Sequence, residues 1–408
     1  MTRRATFRNG VRFTQRIAIV GFAMAATALA DGSGEGSLGL PVFSNEVEGA
    51  LVRTIVALRE QGLKHALAEI DRVIASNPNF RLGHLIRGDL LMARAGQPVA
   101  FAASAVNAAS VAPLQDEARV RLQRYLDAPP RGFMPAALLQ LAPEQSHALL
   151  IDTSRSRLFV YANDLSRPRY VTDFYISLGK NGVEKRREGD QKTPLGVYNI
   201  VALKDKLPDF YGGGAYPLSY PNDWDRINGR NGHGIWLHGT PSETYSRPPW
   251  ATDGCIVLTN EDFARLAKYV DVSRTPVVIG QSVEWRDPAQ WENDRASFID
   301  AVSRWKADWE SLDAARYLAH YSADFRTEKR SYAAWSARKR QVNAGKTWIK
   351  VGIDDLSVFA YPGTPDLMMI TFEQQYRSNN LSTRTHKRQF WSREGGQWRI
   401  VHESVQPS

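Results

Sequence analysis

The spacing of the hydrophobic residues changes twice along this chain, and the change limits the folds it can adopt. Apolar residues recur every three or four positions over residues 46–126, the period of a helix buried on one face. After Pro129, Pro130 and Gly132 they form short runs typical of strands, and a long helical pattern begins near position 287. Because 408 residues suffice for two or three cores, we predict a multidomain protein: an α-helical N-terminal region, a mainly-β domain and an α+β C-terminal domain.

The first thirty residues have the pattern of a secretory signal peptide. Five arginines and no acidic residue precede an apolar run over residues 17–30, which ends in the small-x-small sequence Ala28-Leu29-Ala30. We predict a signal peptide at 1–30, a Gly- and Ser-rich linker at 31–45, and a periplasmic location. An uncleaved N-terminal membrane anchor is the alternative, although the apolar run is shorter than the ~20 residues that span a bilayer.

Charge and cysteine content exclude several function classes. Lys and Arg exceed Asp and Glu by 52 to 43, a net charge of +9 that is too mild over this length to indicate nucleic acid. The only cysteine, Cys255, rules out an intramolecular disulfide and a Cys-based zinc site. An exported chain with one thiol either buries it as an inert residue or uses it, and the count leaves both open. We find no nucleotide-binding fingerprint or metal cluster, so we expect no cofactor and no metal.

The helical region, residues 46–128, contains one legible hairpin. Its apolar positions run from Leu63 to Leu91, and Asn77-Pro78 ends the first helix. The hairpin resembles a tetratricopeptide repeat, but a solenoid needs about three repeats, so a small helical bundle is the alternative. We expect this region to contact a wall-linked or scaffold protein.

The β-rich region begins with a predicted hairpin of Ala148–Ile151 and Leu158–Tyr161. Further apolar runs follow, at Tyr170–Leu178, Gly196–Leu203, Gly234–Leu237, Cys255–Leu258 and Pro276–Ile279. The Gly-, Tyr- and Pro-rich stretch from Lys204 to Gly234 reads as a long structureless loop, and such loops are usually lids or binding flaps.

The C-terminal region opens with an aromatic-rich helix pattern and continues with five strand patterns, which suggests an α+β domain with a curved antiparallel sheet. Two interpretations of its aromatic residues stay open, a packed core and a ligand pocket or dimer surface. They are Trp305, Trp309, Tyr317, Tyr321 and Phe325. A basic cluster is interpreted as a solvated face, with contact to an acidic wall polymer as the alternative. Its members are Arg326, Lys329, Arg330, Arg338, Lys339 and Arg340.

Two short segments indicate chemistry. The first contains Thr193-Pro194-Leu195-Gly196, and the second joins His238-Gly239 to Thr252-Asp253-Gly254-Cys255. A thiol nucleophile needs a base, because a free cysteine is mostly protonated at neutral pH, and it needs N–H donors for the developing oxyanion. His238 and Cys255 meet if their strands pair, and the flexible Gly254 leaves the Gly254 and Cys255 amides free to bind a ligand. A hydrogen-bonded structural histidine is the alternative for His238.

In these motifs residues 148–280 resemble the catalytic domain of the L,D-transpeptidase (YkuD-type) family, so we place a catalytic domain at 145–281. The resemblance implies that Cys255 attacks an L,D-peptide bond of a peptidoglycan stem and forms a thioacyl-enzyme. It implies that His238 exchanges the protons, that the Gly239 carbonyl orients His238, and that the Gly254 and Cys255 amides form the oxyanion hole. We name five further residues as substrate contacts: Thr252, Asp253, Trp236, Tyr220 and Arg247.

Two positions depart from the family pattern. Many members have His before the Gly-Cys pair and Arg two residues after the Cys, where this chain has Asp253 and Val257. Neither is the nucleophile or the base, but the acyl acceptor is left open. His233 also lies nearby, and we prefer His238 because only it begins a His-Gly pair at the family spacing.

Residues 287–408 resemble the nuclear-transport-factor-2-like (SnoaL-like) fold, a cone-shaped domain. Its combination with the catalytic domain resembles cell-shape-determining L,D-carboxypeptidases of curved bacteria. Three functions remain open: a transpeptidase that remodels or crosslinks the wall, a carboxypeptidase or hydrolase using the same site, and a non-catalytic wall-binding scaffold. The oligomeric state is not predicted.

Overall fold

The computed structural model describes residues 46–97, 108–126, 129–327 and 331–406. The predicted signal peptide and linker lie outside these ranges. The chain divides into two compact units, one with residues 49–122 and one with residues 41–48 and 123–408. Within the described ranges no helix has both the length and the apolar character needed to cross a bilayer.

The first unit is helical. Its helices are α1 (Glu46–Glu60), α2 (Leu63–Ser76), α3 (Arg81–Arg94) and α4 (Ala108–Leu126). Helix α2 stops at Ser76, directly before the predicted break, and buries Leu67 and Ile70 against α3 residues such as Ile86. The helices are confirmed, and their tetratricopeptide character stays a prediction.

The second unit begins with the β-rich region. Its strands are β1 (Met134–Pro135), β2 (Leu138–Gln140), β3 (His147–Asp152), β4 (Arg157–Asp164), β5 (Arg167–Tyr175), β6 (Leu178–Gly179), β7 (Gly196–Asn199), β8 (Ala215–Pro217), β9 (Trp236–His238), β10 (Trp250–Thr252), β11 (Ile256–Val257), β12 (Pro276–Gly280) and β13 (Trp285–Arg286). Helices α5 (Asp223–Ile227) and α6 (Asn260–Leu266) lie between them.

A five-stranded sheet in the order β5-β4-β3-β12-β7 forms the base of the catalytic region. The predicted hairpin is confirmed as β3 and β4, which pair from His147–Ala162 to Asp152–Arg157. The Asp152 carboxylate closes its turn by accepting from the Ser154 hydroxyl at 2.7 Å and the Arg155 amide at 3.1 Å.

Both faces of this sheet are buried, because alternate residues pack into different cores. One face packs beneath the site-bearing strands, through Leu149, Ile151, Leu158, Val160, Val277 and Ile279. The opposite face packs against the C-terminal domain, through Ala148, Leu150, Phe159 and Tyr161 with Phe359, Met369 and Phe390. This two-sided burial explains why β3 and β12 are almost continuously apolar in sequence.

The stretch from Lys204 to Gly234 is not the structureless loop that we predicted. It contains a 3₁₀ turn at Asp209–Tyr211, strand β8 and helix α5. Strand β8 pairs with β9, and the Asn222 side chain caps α5 by accepting from the Asp225 amide at 2.9 Å. Three-residue strands and one-turn helices depend on such contacts, which local sequence periodicity does not show.

The C-terminal region of the second unit has helices α7 (Pro288–Glu310), α8 (Ala314–Leu318) and α9 (Tyr332–Ala344). Its long strands are β14 (Tyr321–Arg326), β15 (Ile349–Ala360), β16 (Leu367–Ser378), β17 (Leu381–Glu394) and β18 (Gln397–Val405). The strands form one sheet in the order β14-β18-β17-β16-β15-β2. Its last strand, β2, comes before the five-stranded sheet of the catalytic region in the sequence. Trp305, Trp309 and Tyr317 are buried in the core between sheet and helices, which confirms the packing interpretation of the aromatic residues.

Lys329 and Arg330 of the basic cluster lie outside the described residues, and the described members are not all solvated. Arg338 and Arg340 are exposed, but the Lys339 ammonium lies 5.2 Å from the Trp309 ring centre and 5.3 Å from that of Trp335. Burial lowers the pKa of Lys339. The prediction of a solvated face is therefore wrong at Lys339, because α9 turns this one side chain toward the aromatic core.

The C-terminal sheet also holds helix α5 of the catalytic region. The Asp223 carboxylate accepts from Arg388 Nη1 at 3.1 Å, the Ser404 hydroxyl at 2.6 Å and the Gln406 amide at 2.8 Å. Arg388 is buried, so this ion pair is largely shielded from water. The two regions thus share a polar contact as well as an apolar layer.

Candidate active site

The two predicted site segments come together through strand pairing. Strands β9 and β11 are parallel neighbours, with Leu237 opposite Ile256 and His238 opposite Val257. The Leu258 amide donates to the His238 carbonyl at 2.9 Å, which continues the ladder. Cys255 therefore directly precedes the strand that lies beside His238, as the strand pattern predicted.

His238 is held as a neutral base. Its Nδ1–H donates to the Gly239 carbonyl at 2.7 Å, and a carbonyl only accepts, so Nδ1 carries the proton and Nε2 keeps its lone pair. Burial lowers the pKa of His238 to about 4, the Gly239 bond opposes this fall, and the charge of Arg247 adds to it. The imidazole is consequently neutral at physiological pH.

Cys255 is a protonated thiol in this arrangement. Burial raises its pKa, and the Trp236 backbone N–H opposes that rise. The thiol donates to the Gly234 carbonyl at 3.4 Å, and we find no hydrogen bond between it and His238 in the described part of the chain. The site therefore holds a neutral thiol and a neutral imidazole on adjacent backbone segments, not a preformed ion pair.

Gly254 has its own conformational requirement. Its φ is +120°, and an added Cβ would lie 2.7 Å from the Lys192 carbonyl oxygen, so only glycine fits without strain. Its N–H is not free, because it donates to the Thr252 hydroxyl at 3.1 Å. The role of this N–H as an oxyanion donor therefore stays a prediction. The Cys255 N–H has no acceptor among the residues that the structure describes.

Thr193 ties the first motif to the second. Its buried hydroxyl donates to the Gly254 carbonyl at 3.1 Å and accepts from the Gly179 amide at 3.0 Å. The Thr-Pro-x-Gly sequence thus braces the turn that presents Cys255, a role that sequence alone did not reveal.

Asn260 was missed in the sequence analysis. Its side chain accepts from the Thr240 amide at 3.1 Å and donates to the Thr240 carbonyl at 2.9 Å. An added Cβ on Gly239 would lie 2.1 Å from Asn260 Oδ1. Asn260 therefore fixes the backbone next to the carbonyl that orients His238. The sequence feature that could have drawn attention to Asn260 was its position directly after Thr259, the residue that caps helix α6.

The predicted substrate contacts divide into two groups. Thr252 and Tyr220 are buried and committed to structure: the Thr252 hydroxyl donates to the Cys255 carbonyl at 2.7 Å, and the Tyr220 hydroxyl donates to the Asn231 carbonyl at 2.9 Å. A direct contact of either residue with substrate stays a prediction. Asp253 is exposed and pairs with Lys180 at 2.9 Å.

Trp236 and Arg247 remain at the surface of the site. The Trp236 ring lies 5.1 Å from Tyr211, which itself lies 5.1 Å from the His238 ring. The Arg247 guanidinium lies 4.9 Å from the ring centre of Phe210. His233, by contrast, is exposed and its Nδ1 lies 3.3 Å from Glu188, so it is not part of this arrangement.

Metal chemistry has no support in the described ranges. They contain no group of three or more His, Cys, Asp or Glu side chains arranged to hold a metal ion.

Comparison with known families separates two regions of the chain. The L,D-transpeptidase catalytic domain (YkuD) matches residues 146–279, which include both site segments. This chain carries an L,D-transpeptidase catalytic domain. The Cds6 C-terminal NTF2-like domain matches residues 297–404. The enzymes of this matching family act on peptidoglycan peptides.

Two solved structures combine comparable architectures. Bd1075 of Bdellovibrio bacteriovorus is 24% identical, with a TM-score of 0.60 over 68% of this chain and 99% of its own, and shows the shared fold. Pgp2, the helical cell shape determining protein of Campylobacter jejuni, is 25% identical, with a TM-score of 0.58 over 66% of this chain and 95% of its own. No curated protein matches the sequence.

Proposed function

We propose that the protein is an exported cysteine L,D-transpeptidase that acts on peptidoglycan stem peptides through a Cys255 thioacyl-enzyme. The observation that carries the proposal is the pairing of β11, which directly follows Cys255, with β9, which ends at His238. The Nδ1 of His238 is fixed by the Gly239 carbonyl. That bond leaves Nε2 available to take a proton.

The first half of the reaction acylates Cys255. Rotation about its Cα–Cβ bond moves the thiol from the Gly234 carbonyl toward His238 Nε2, which takes the proton. The thiolate attacks the carbonyl carbon of the L,D bond, and the Cys255 N–H donates to the developing oxyanion. As the C–N bond breaks, the imidazolium returns its proton to the leaving amine of the D-amino acid.

The second half releases the acyl group. The acceptor, an amine or water, attacks the thioester carbon and gives a proton to His238. The bond from that carbon to the Cys255 sulfur breaks, and the sulfur recovers a proton from His238. With the amine of another stem as acceptor the product is a crosslink. With water as acceptor the product is a shortened stem, and the same site works as a carboxypeptidase.

Hydrolysis is the second candidate. It is favoured by the likeness to Pgp2, a cell shape protein that matches across both the catalytic and C-terminal regions. Release of wall-linked protein is a further form of the same hydrolysis. A non-catalytic scaffold is the minor alternative.

The location and partners follow from the same proposal. We place the protein in the periplasm, where its substrate lies, and assign export to the predicted signal peptide. The helical unit is the proposed contact for a wall-linked or scaffold protein.

The test uses purified tetrapeptide muropeptides and mass spectrometry of the products. A crosslinked dimer supports transfer, and a tripeptide supports hydrolysis. The control is Cys255→Ala, whose fold is checked by circular dichroism. Unchanged substrate with the wild-type protein, or full turnover by the variant, contradicts the proposed enzyme. Binding to sacculi without turnover supports the scaffold.

A further inference from the structure

Arg247 is a half-buried cation at the edge of the site. Its guanidinium packs on Phe210, and the charge of Asp253 acts on it, but no ion pair joins it to a carboxylate of the described residues. Burial lowers the pKa of Arg247, because its charge has lost part of its hydration. A partly desolvated guanidinium without a carboxylate partner is suited to binding an anion from outside the chain.

The backbone around Arg247 is fixed. The Tyr175 hydroxyl donates to the Arg247 carbonyl at 2.9 Å, and the Ser177 hydroxyl donates to the Pro248 carbonyl at 2.5 Å. Both donors belong to the end of β5 and the residues that follow it, in the catalytic region. The cation is thus held on the scaffold that carries the site and is preorganised for a ligand.

Arg247 also lies close enough to act on both reacting side chains. Its charge lowers the pKa of Cys255 and that of His238. Phe210, on which it packs, lies 6.0 Å from the His238 ring. Arg247 therefore belongs to the same site as His238 and Cys255.

Arg247 provides a positive charge near Cys255, where the segment that follows Cys255 has none. The position two residues after Cys255, often Arg in related sequences, is the buried Val257. Lys180, another nearby cation, is committed to Asp253. Arg247 belongs to the segment directly before β10.

The chemistry of the substrate supplies the anion. In a stem whose last residue is the leaving D-amino acid, the free α-carboxylate lies directly beside the scissile bond. We propose that Arg247 binds this carboxylate and thereby selects stems that end one residue after the scissile bond. The inference rests on the proposed function and adds to it a rule for the donor substrate.

This rule excludes two kinds of stem. A C-terminal carboxamide has the same shape but no charge for the guanidinium to bind. A stem with one more residue carries its carboxylate about 3.5 Å further along the chain. Both are expected to be poor donors, whether the acceptor is an amine or water.

The experiment compares three synthetic stems: a tetrapeptide acid, its C-terminal carboxamide, and the pentapeptide acid. Each is assayed for release of the C-terminal fragment by the wild-type protein, Arg247→Gln and Arg247→Lys. Lys268→Gln is the matched control, because it removes one exposed positive charge remote from the site motifs in sequence.

For the wild-type protein we expect the tetrapeptide acid to have a kcat/KM about 10- to 100-fold above that of the carboxamide, the usual effect of one charge-assisted bond. Arg247→Gln should lose that preference, mainly through a higher KM for the acid. Its kcat/KM should fall more on the acid than on the carboxamide, on which the lost charge acts only through Cys255 and His238. Arg247→Lys should retain part of the preference, since it keeps the charge without the planar fork. Lys268→Gln should match the wild type.

Three results overturn the inference: no wild-type preference for the acid, an equal loss on acid and carboxamide in Arg247→Gln, or no loss on either. The last two would show a general electrostatic role or none. Failure of the proposed function has a different signature, because the wild-type protein would then turn over none of the three stems.

Discussion

The brace between the two site motifs provides a sharp test of how the Cys255 turn is held. Thr193→Val keeps the shape of the side chain but removes the hydroxyl that bonds to Gly254 and Gly179. Each partner is left without a bond in a site closed to water, since Thr193 is 0% exposed. At about 1–3 kcal/mol for each of these two unsatisfied buried groups, the free energy of unfolding should fall by about 2–6 kcal/mol.

The matched control is Thr193→Ser, which keeps both hydrogen bonds and loses one methyl group, an effect of about 1 kcal/mol. Urea unfolding followed by near-ultraviolet circular dichroism measures the stability of each variant. The rate of Cys255 acylation measures the site, and we expect Thr193→Val to slow it more than Thr193→Ser does. Equal stability and equal acylation rates in the two variants would refute the brace.

Three further predictions concern the site and its support. Because burial disfavours both charged forms, Cys255 should remain a thiol and His238 a neutral imidazole at neutral pH. The rate of alkylation of Cys255 by iodoacetamide should therefore rise only in the alkaline range. An inflection in that rate between about pH 4 and 7 would reveal a thiolate–imidazolium ion pair instead. Asp223→Asn should lower the free energy of unfolding in urea by about 3 kcal/mol, because it leaves Arg388 buried without its carboxylate partner. The pKa of Asp223 is lowered in the folded protein, so the stability that this pair gives the wild type should fall as the pH drops below about 4. A carbapenem should add its mass to the wild-type protein and not to Cys255→Ala, and an unmodified wild-type protein after long exposure would count against the nucleophile.

Those features that depend on local pattern were predictable from sequence. The hairpin of β3 and β4 follows from two apolar runs around a polar turn, and its strands pair as expected. The meeting of the His238 and Cys255 segments follows from two short strands in one domain. The spacing of the apolar residues and the residue types in the turns predict such elements without knowledge of the rest of the fold.

Features that depend on distant contacts were not predictable. Strand β8 exists through its pairing with β9. Lys339 is half-buried because α9 packs on the aromatic core. The Gly254 amide was expected to be free because glycine lets the backbone approach a ligand closely, yet this N–H donates to the Thr252 hydroxyl two residues earlier. Asn260 acts on Gly239 across the fold, a relation that no spacing in the chain reveals.

The most direct test of the central claim is to trap the acyl-enzyme. The protein is mixed with a tetrapeptide stem, quenched in acid within the first turnovers, digested and mapped by mass spectrometry. We predict a thioester on the peptide that contains Cys255, with the mass of the stem less its terminal D-amino acid, and its absence in Cys255→Ala. An adduct on another residue, or product formation by Cys255→Ala, would contradict the account.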